Sequence, residues 1–249
     1  TTNLSWLLHQ SIYSLPAHAK YLKIHFQQYP AAAAALDIAL HYAYGKLCNL
    51  PLVDILGRQH ISLPTSITIG IKDINTAMAE ASEYVGRGFK NLKIKLGEYV
   101  EQDIELVHCV REHIPKDVTL RVDMNQGYTL DDMYYYDKKT TSLGIELIEQ
   151  PFAKENNVAL SQLPWDIRDK IAADESLVSI EDGFNLVCPE KLCGIFNIKL
   201  MKCGGISPAL CIAELARYAN VDLMWGCMDE SKISIAAALH AALASSKTK

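Results

Sequence analysis

From Thr65 onward the chain alternates short apolar runs with longer stretches of helical period. The short runs are TSITIG, NLKIKLG, TLRVDMN, IELIEQ, KIAADE, GIFNIKL and DLMWGCM, each of strand length. Between them, INTAMAEASEYVGRG, YVEQDIELVHCVREHI and PALCIAELARYANV space their apolar residues three and four apart, as a one-faced helix does. In the last of these, Ser207 is expected at the N-cap and Pro208 in the first turn. Strands alternating with helices predict a parallel α/β sheet. Residues 1–58 break the rhythm. They contain no convincing strand, and YPAAAAALDIALHYAYG reads as one helix, apolar nearly all round and therefore buried. The expected division is a helical segment over 1–58 and a strand–helix region over 59–249.

Polar residues at the strand ends narrow the architecture. Lys93 and Lys95 stand in NLKIKLG, Asp123 in LRVDMNQ, Glu149 in ELIEQP, Asp174 in IAADES and Lys199 in FNIKLMK. The three acids follow one another at steps of about 25 residues, the length of one strand–helix repeat. Alternation along a strand puts Lys93 and Lys95 on one face, and likewise Asp123 and Asn125. An open sheet would spread these ends along a line, whereas a barrel gathers them around one mouth. The expected fold is a TIM-like (β/α)7β barrel with a partial, helical capping segment at the N-terminus. The repeat stops after SKISIAAALHAALASSK. An eighth strand is therefore expected to be missing, and the chain to be a fragment or the ordered part of a longer protein.

Three oxygen-donor acids at matching places on neighbouring strands suit a hard divalent cation, Mg²⁺ or Mn²⁺ rather than zinc. Each acid alone reads equally as a helix cap or loop residue; the even spacing of all three points to ligation. The net charge of −5 offers no electrostatic footprint for nucleic acid. No basic amphipathic stretch suggests a membrane surface, and the longest apolar run is too short and interrupted by His240. Seven cysteines without CxxC spacing read as reduced, mostly buried thiols of a cytoplasmic protein. Only Cys203 and Cys227, each just beyond a strand, are candidates for more. The eight histidines all fall in helices or loops, with His240 the one left near the barrel top. Gly204-Gly205 reads as a tight turn into a helix before it reads as a phosphate nest.

Lys93-x-Lys95, Asp123-x-Asn125, Glu149-Gln-Pro, Asp174-Glu175-Ser176 and Lys199-x-x-Lys-Cys-Gly-Gly together resemble the enolase superfamily, in its muconate-lactonizing subgroup. The resemblance runs from about Tyr29 to the end. Trp225-Gly-Cys-Met-Asp-Glu-Ser looks most like the dipeptide epimerases, of the L-Ala-D/L-Glu type. It implies that Asp123, Glu149 and Asp174 bind Mg²⁺, and that Lys95 and Lys199 exchange protons on opposite faces of a substrate α-carbon, through an enediolate. Lys93, Asn125, Glu175, Thr68, Asp229 and Glu230 are expected to contact substrate or to support the ligands. The implied substrate is a small molecule, a dipeptide or acylamino acid. The alternatives are o-succinylbenzoate synthesis, N-acylamino acid racemisation, or a barrel without activity. Dipeptide epimerases carry an Asp-x-Asp on an eighth strand that these residues do not include. Whether the chain forms a homo-oligomer is left open by the sequence.

Overall fold

The computed structural model describes residues 4–249. Three helices come first: α1 (Leu15–His25), α2 (Pro30–Cys48) and α3 (Leu52–Leu56). Strands and helices then alternate: β1 (Ser66–Ile69), α4 (Ile74–Gly86), β2 (Asn91–Lys95), α5 (Val100–His113), β3 (Thr119–Asp123), α6 (Leu130–Thr140), β4 (Ile145–Glu149), α7 (Val158–Gln162), α8 (Trp165–Arg168) and β5 (Ile171–Ala173). The series continues with α9 (Ile180–Val187), β6 (Ile195–Ile198), α10 (Leu200–Cys203), α11 (Ile206–Ala219), β7 (Asp222–Trp225) and α12 (Lys232–Leu243). Strand order in the sheet is the chain order, β1 to β7, so the expected parallel strand–helix architecture of the barrel type is present. Contacts group the chain into two compact units. One comprises Pro64–Ser176 and Leu186–Ile195; the other comprises the chain up to Leu63 with Leu177–Asn185 and Phe196–Lys249.

In the first unit the pairing is parallel from β1 through β5. On one face of β2 and β3, Leu92, Ile94, Leu120 and Val122 have no exposed surface; the other face carries Asn91, Lys93, Arg121 and Asp123, which are also buried. These two strands therefore alternate apolar with polar positions, the polar face being the one that carries the site. The register sets Lys95 beside Asp123 and Asp123 beside Glu149. Helix starts are written locally. Asp73 accepts from the Thr76 N–H at the head of α4, and Thr129 and Asp132 form a reciprocal capping box on α6.

The loops leaving β2 and β3 cross backbone against backbone. A Cβ on Gly127 would stand 2.0 Å from the Gly97 carbonyl oxygen, and one on Gly97, at φ +109°, would stand 2.1 Å from that of Met124. Asp103 from α5 ties the crossing by accepting from the Gly97 N–H (2.9 Å) and the Tyr128 hydroxyl (3.0 Å). Each loop begins just after a site residue, Lys95 or Asp123. Gly127→Ala should therefore cost about 3 kcal/mol or more, since backbone atoms rather than a flexible side chain must yield. A urea midpoint close to that of the parent protein would contradict this.

In the second unit α2 corrects one expectation. It buries a single stripe, Ala33, Ala34, Asp37, Ile38, His41 and Gly45, while Tyr42 and Leu47 are more than half exposed. The stripe holds a carboxylate because Asp37 has a partner on another helix. Its Oδ2 accepts from the backbone N–H groups of Ile206 (2.6 Å) and Ser207 (3.1 Å), and its Oδ1 from the Ser207 hydroxyl (2.8 Å). The expected N-cap is corrected with it: Gly205, not Ser207, occupies that position, and the capping side chain comes from α2. The amides that an anion would need are already taken, so Gly204-Gly205 is the turn and not a phosphate nest. Gly205 has φ +125°, and a Cβ there would meet Asp37 at 2.6 Å.

No eighth strand is formed among the described residues. Thr248 makes a parallel bridge with Leu223 of β7, the Leu223 N–H donating to Lys247 and the Lys249 N–H to Leu223, both at 2.9 Å. The cysteines are all free, but the expected burial holds only for Cys193; Cys188, Cys211 and Cys227 are exposed, on helix faces and loops that turn outward. No helix among the described residues is long and apolar enough to cross a membrane.

Candidate active site

The site begins with two ammonium groups shared among buried carboxylates. Lys93 and Lys95 lie on one face of β2, two residues apart. Lys93 Nζ donates to Glu149 Oε2 at 2.7 Å and lies 2.9 Å from Asp123 Oδ2, while Lys95 Nζ donates to the same Asp123 oxygen at 2.8 Å. Asp123, Glu149 and Asp174 are exposed by 1%, 0% and 3%, so these acids are paired and cannot be solvated caps. Among the described residues no three His, Cys, Asp or Glu side chains stand as a finished ligand set. Asp123 and Glu149 both reach the Lys93 ammonium.

The electrostatics follow from that arrangement. Burial opposes the charge of Lys93, but Glu149 and Asp123 outweigh it and hold its pKa well above the usual lysine range. Burial likewise opposes the charge of Asp123, which Lys93 and Lys95 keep below its ordinary value. Glu149 goes the other way. Burial first, then the charges of Asp123 and Asp174, push it up to about 7 against the pull of Lys93. The asymmetry within the Lys93–Glu149 pair has a plain cause: the ammonium has two carboxylates, whereas Glu149 is fully buried and faces other negative charge.

Asp174 lies two residues beyond Ala172, the register partner of Glu149. Gln150 fixes it there. The Gln150 backbone is left-handed, at φ 35°, and its side chain is buried. Its Oε1 accepts from the Asp174 N–H (2.9 Å) and the Ser176 N–H (3.1 Å), and its Nε2 donates to the Ser176 hydroxyl (2.7 Å) and the Phe152 carbonyl (2.9 Å). One amide thus couples the ends of β4 and β5. The motif Glu-Gln-Pro announced this residue without announcing its role.

Lys199 belongs to the other unit, at the end of β6. It is partly buried, and Gly226 after β7 lies against its stem: a Cβ on Gly226 would stand 2.8 Å from Lys199 Cε and 2.6 Å from Asn197 Oδ1. The missing side chain makes the channel through which this lysine passes.

A family described as enolase C-terminal domain-like matches residues 76–249. The chain belongs to the enolase C-terminal domain-like family. This enolase-like chain is 51% identical over 246 residues to an L-Lys-D/L-Arg epimerase from Methylococcus capsulatus, an alignment covering 99% of the chain and 69% of that relative. It is 53% identical over 220 residues to an L-Lys-D/L-Arg epimerase from Desulforapulum autotrophicum, covering 88% of the chain and 62% of the relative. A crystal structure of a dipeptide epimerase from Methylococcus capsulatus complexed with Mg and the dipeptide L-Arg-D-Lys is similar at a TM-score of 0.96 and 51% identity, over 99% of this chain and 70% of that one.

The remaining expected site residues of this enolase-like chain divide by what they touch. Asn125 is exposed with a left-handed backbone, and it supports Asp123 through its main-chain N–H (3.1 Å to Oδ1), not its amide. Thr68 is exposed and is the register neighbour of Lys93 on β1. Glu175 is half-buried beside Asp174. In the other unit, Glu230 accepts from the Met228 N–H (2.8 Å) and the Ser234 hydroxyl, which braces the loop after β7. The exposed Asp229 and the half-buried Glu230 line a cavity of about 740 Å³ with Ala34, Ile38, Tyr42 and Met201. His240 is engaged in structure, its Nδ1 accepting from the Val53 N–H at 3.2 Å. Burial pushes the Cys203 thiol up to about 12, which removes it as a nucleophile. Asp37, Asp103 and Gln150 were the polar residues that the strand-end pattern did not select. The signal for Asp37 was a lone acid inside an alanine-rich helix.

Proposed function

We propose that the chain is the barrel portion of a divalent-metal-dependent isomerase that inverts an α-carbon next to a carboxylate, in a dipeptide with cationic side chains. The observation that carries this reading is the set of buried carboxylates and ammonium groups on adjoining strand ends. The donor chemistry fits Mg²⁺: all oxygen and deeply buried, with Glu149 pushed up to about 7 by burial first and then by its negative neighbours. Asp123, Glu149 and Asp174 would hold the ion. When bound, Mg²⁺ supplies positive charge to the substrate carboxylate as the adjoining C–H is ionised.

The chain's own groups have distinct tasks. The Lys93 side chain is 10% exposed and closed in by two carboxylates, whereas that of Lys95 is 31% exposed. Lys95 is therefore the lysine of the pair able to reach a substrate carbon, and it removes or returns the proton on one face. Lys199 serves the opposite face. Inversion follows when one lysine takes the proton and the other delivers one from the far side. The cationic dipeptide is supported by the names of the relatives at 51% and 53% identity, and it displaces Ala-Glu as the first substrate to try.

The test is α-proton exchange in D₂O with Mg²⁺, followed by NMR and chiral analysis. Lys-Arg and Arg-Lys dipeptides should exchange and interconvert fastest. Faster turnover of Ala-Glu, of N-acylamino acids or of a succinylbenzoate precursor would move the assignment to that class. Glu149→Gln should lower the Mg²⁺-dependent rate by more than about 100-fold. Retention of that rate would remove Glu149 from the ligand set.

A further inference from the structure

We propose that Lys93 is a place-holder for the divalent ion: its ammonium occupies the position between Asp123 and Glu149 in the metal-free protein and is given up when the ion binds. This rests on the reading of the three acids as ligands. A single Nζ lies 2.7 Å from Glu149 Oε2 and 2.9 Å from Asp123 Oδ2, both on carboxylates at most 1% exposed. A bare cluster of buried acids would repel itself and lose solvation with nothing in return. One flexible four-carbon stem ending in a compact cation solves that problem. Lys95 is not equivalent. It touches Asp123 alone, does not bridge to Glu149, and can stay on Asp123 when Glu149 is released.

Place-holding makes metal affinity and metal-free stability two sides of one linkage. Whatever the ammonium contributes to the metal-free fold is subtracted from metal binding. Removing it should harm the metal-free protein, spare the loaded one, and tighten the ion by the corresponding factor. A merely structural lysine would lower both forms together.

The experiment compares the parent protein with Lys93→Met, Lys93→Gln and Lys93→Arg, by thermal unfolding in EDTA and in saturating Mg²⁺, and by calorimetric titration with Mg²⁺ alone. Lys93→Met should unfold at least about 4 °C lower in EDTA and regain nearly the parent midpoint in Mg²⁺. Its Mg²⁺ affinity should rise about tenfold or more, as removing a cation next to a cation requires. Lys93→Gln, the milder change, should move in the same direction if Lys93→Met does not fold without metal. Lys93→Arg keeps the charge and should restore metal-free stability. Equal losses with and without Mg²⁺, or an Mg²⁺ affinity unchanged or weaker in both neutral variants, would overturn the place-holder. If the parent protein itself bound no Mg²⁺, the ligand assignment would fall first and the place-holder with it.

Discussion

Lys95→Ala should abolish inversion of either epimer while one epimer continues to exchange its α-proton with solvent, and Lys199→Ala should do the same for the opposite epimer. A positioned general base is worth about 10²- to 10⁴-fold, so each variant should lose at least about 100-fold in interconversion. The asymmetry is the diagnostic. A lysine that only bound substrate would depress both epimers equally, whereas a lysine serving one face leaves the other face running. The two lysines stand at the ends of different strands. Lys95 hangs from β2 with its ammonium on Asp123 at 2.8 Å. Lys199 leaves the end of β6 past Gly226, where no side chain blocks its stem. Deuterium incorporation followed separately for each epimer measures the effect. Full inversion by either variant would eliminate the two-base scheme, and a one-base elimination or cycloisomerisation would take its place.

Asp37→Ala should be among the most destabilising single changes in the chain, at about 3–5 kcal/mol. The carboxylate is 2% exposed and accepts three hydrogen bonds at the head of α11, with His41 Nδ1 3.3 Å away on its other side. Alanine would leave the buried Ile206 N–H and the half-buried Ser207 N–H and hydroxyl without their acceptor. Asp37→Asn should cost less, because its amide oxygen still accepts. The effect also depends on pH. Burial opposes the charge of His41, but the hydrogen bond and charge of Asp37 outweigh it and raise its pKa above 6.5. A histidine raised by folding contributes stability that is fully present below its unfolded value and lost as pH rises through the folded one. The stability gap between the parent protein and Asp37→Ala should therefore be widest below about pH 6.5 and narrow above it. His18 nearby is lowered, chiefly by burial, while Asp37 pulls it upward. Losing Asp37 moves it in the same direction as His41. Urea unfolding at pH 5.5 and 8.5 measures the gap, and a gap independent of pH would show that His41 does not sense Asp37.

Much of this was legible because local rules and the barrel agree. The seven runs became seven strands within about three residues at each end, since each run supplies at least one wholly apolar face to the core. Lys95, Asp123 and Glu149 became register neighbours because even spacing along the chain becomes adjacency when each repeat adds one strand. The sequence by itself therefore determined the strand–helix order, the family, and which ionisable residues stand at the strand ends. It could not determine which of those residues touch. That Lys93 bridges two carboxylates while Lys95 holds one, that Asn125 acts through its backbone, and that Gln150 joins β4 to β5 depend on side-chain reach across strands distant in sequence. The capping of α11 by a residue about 170 positions earlier is the clearest instance. A nearby serine satisfied the local rule, but the tertiary fold delivered a buried carboxylate to the same amides, and a full negative charge outcompetes a hydroxyl at a helix N-terminus.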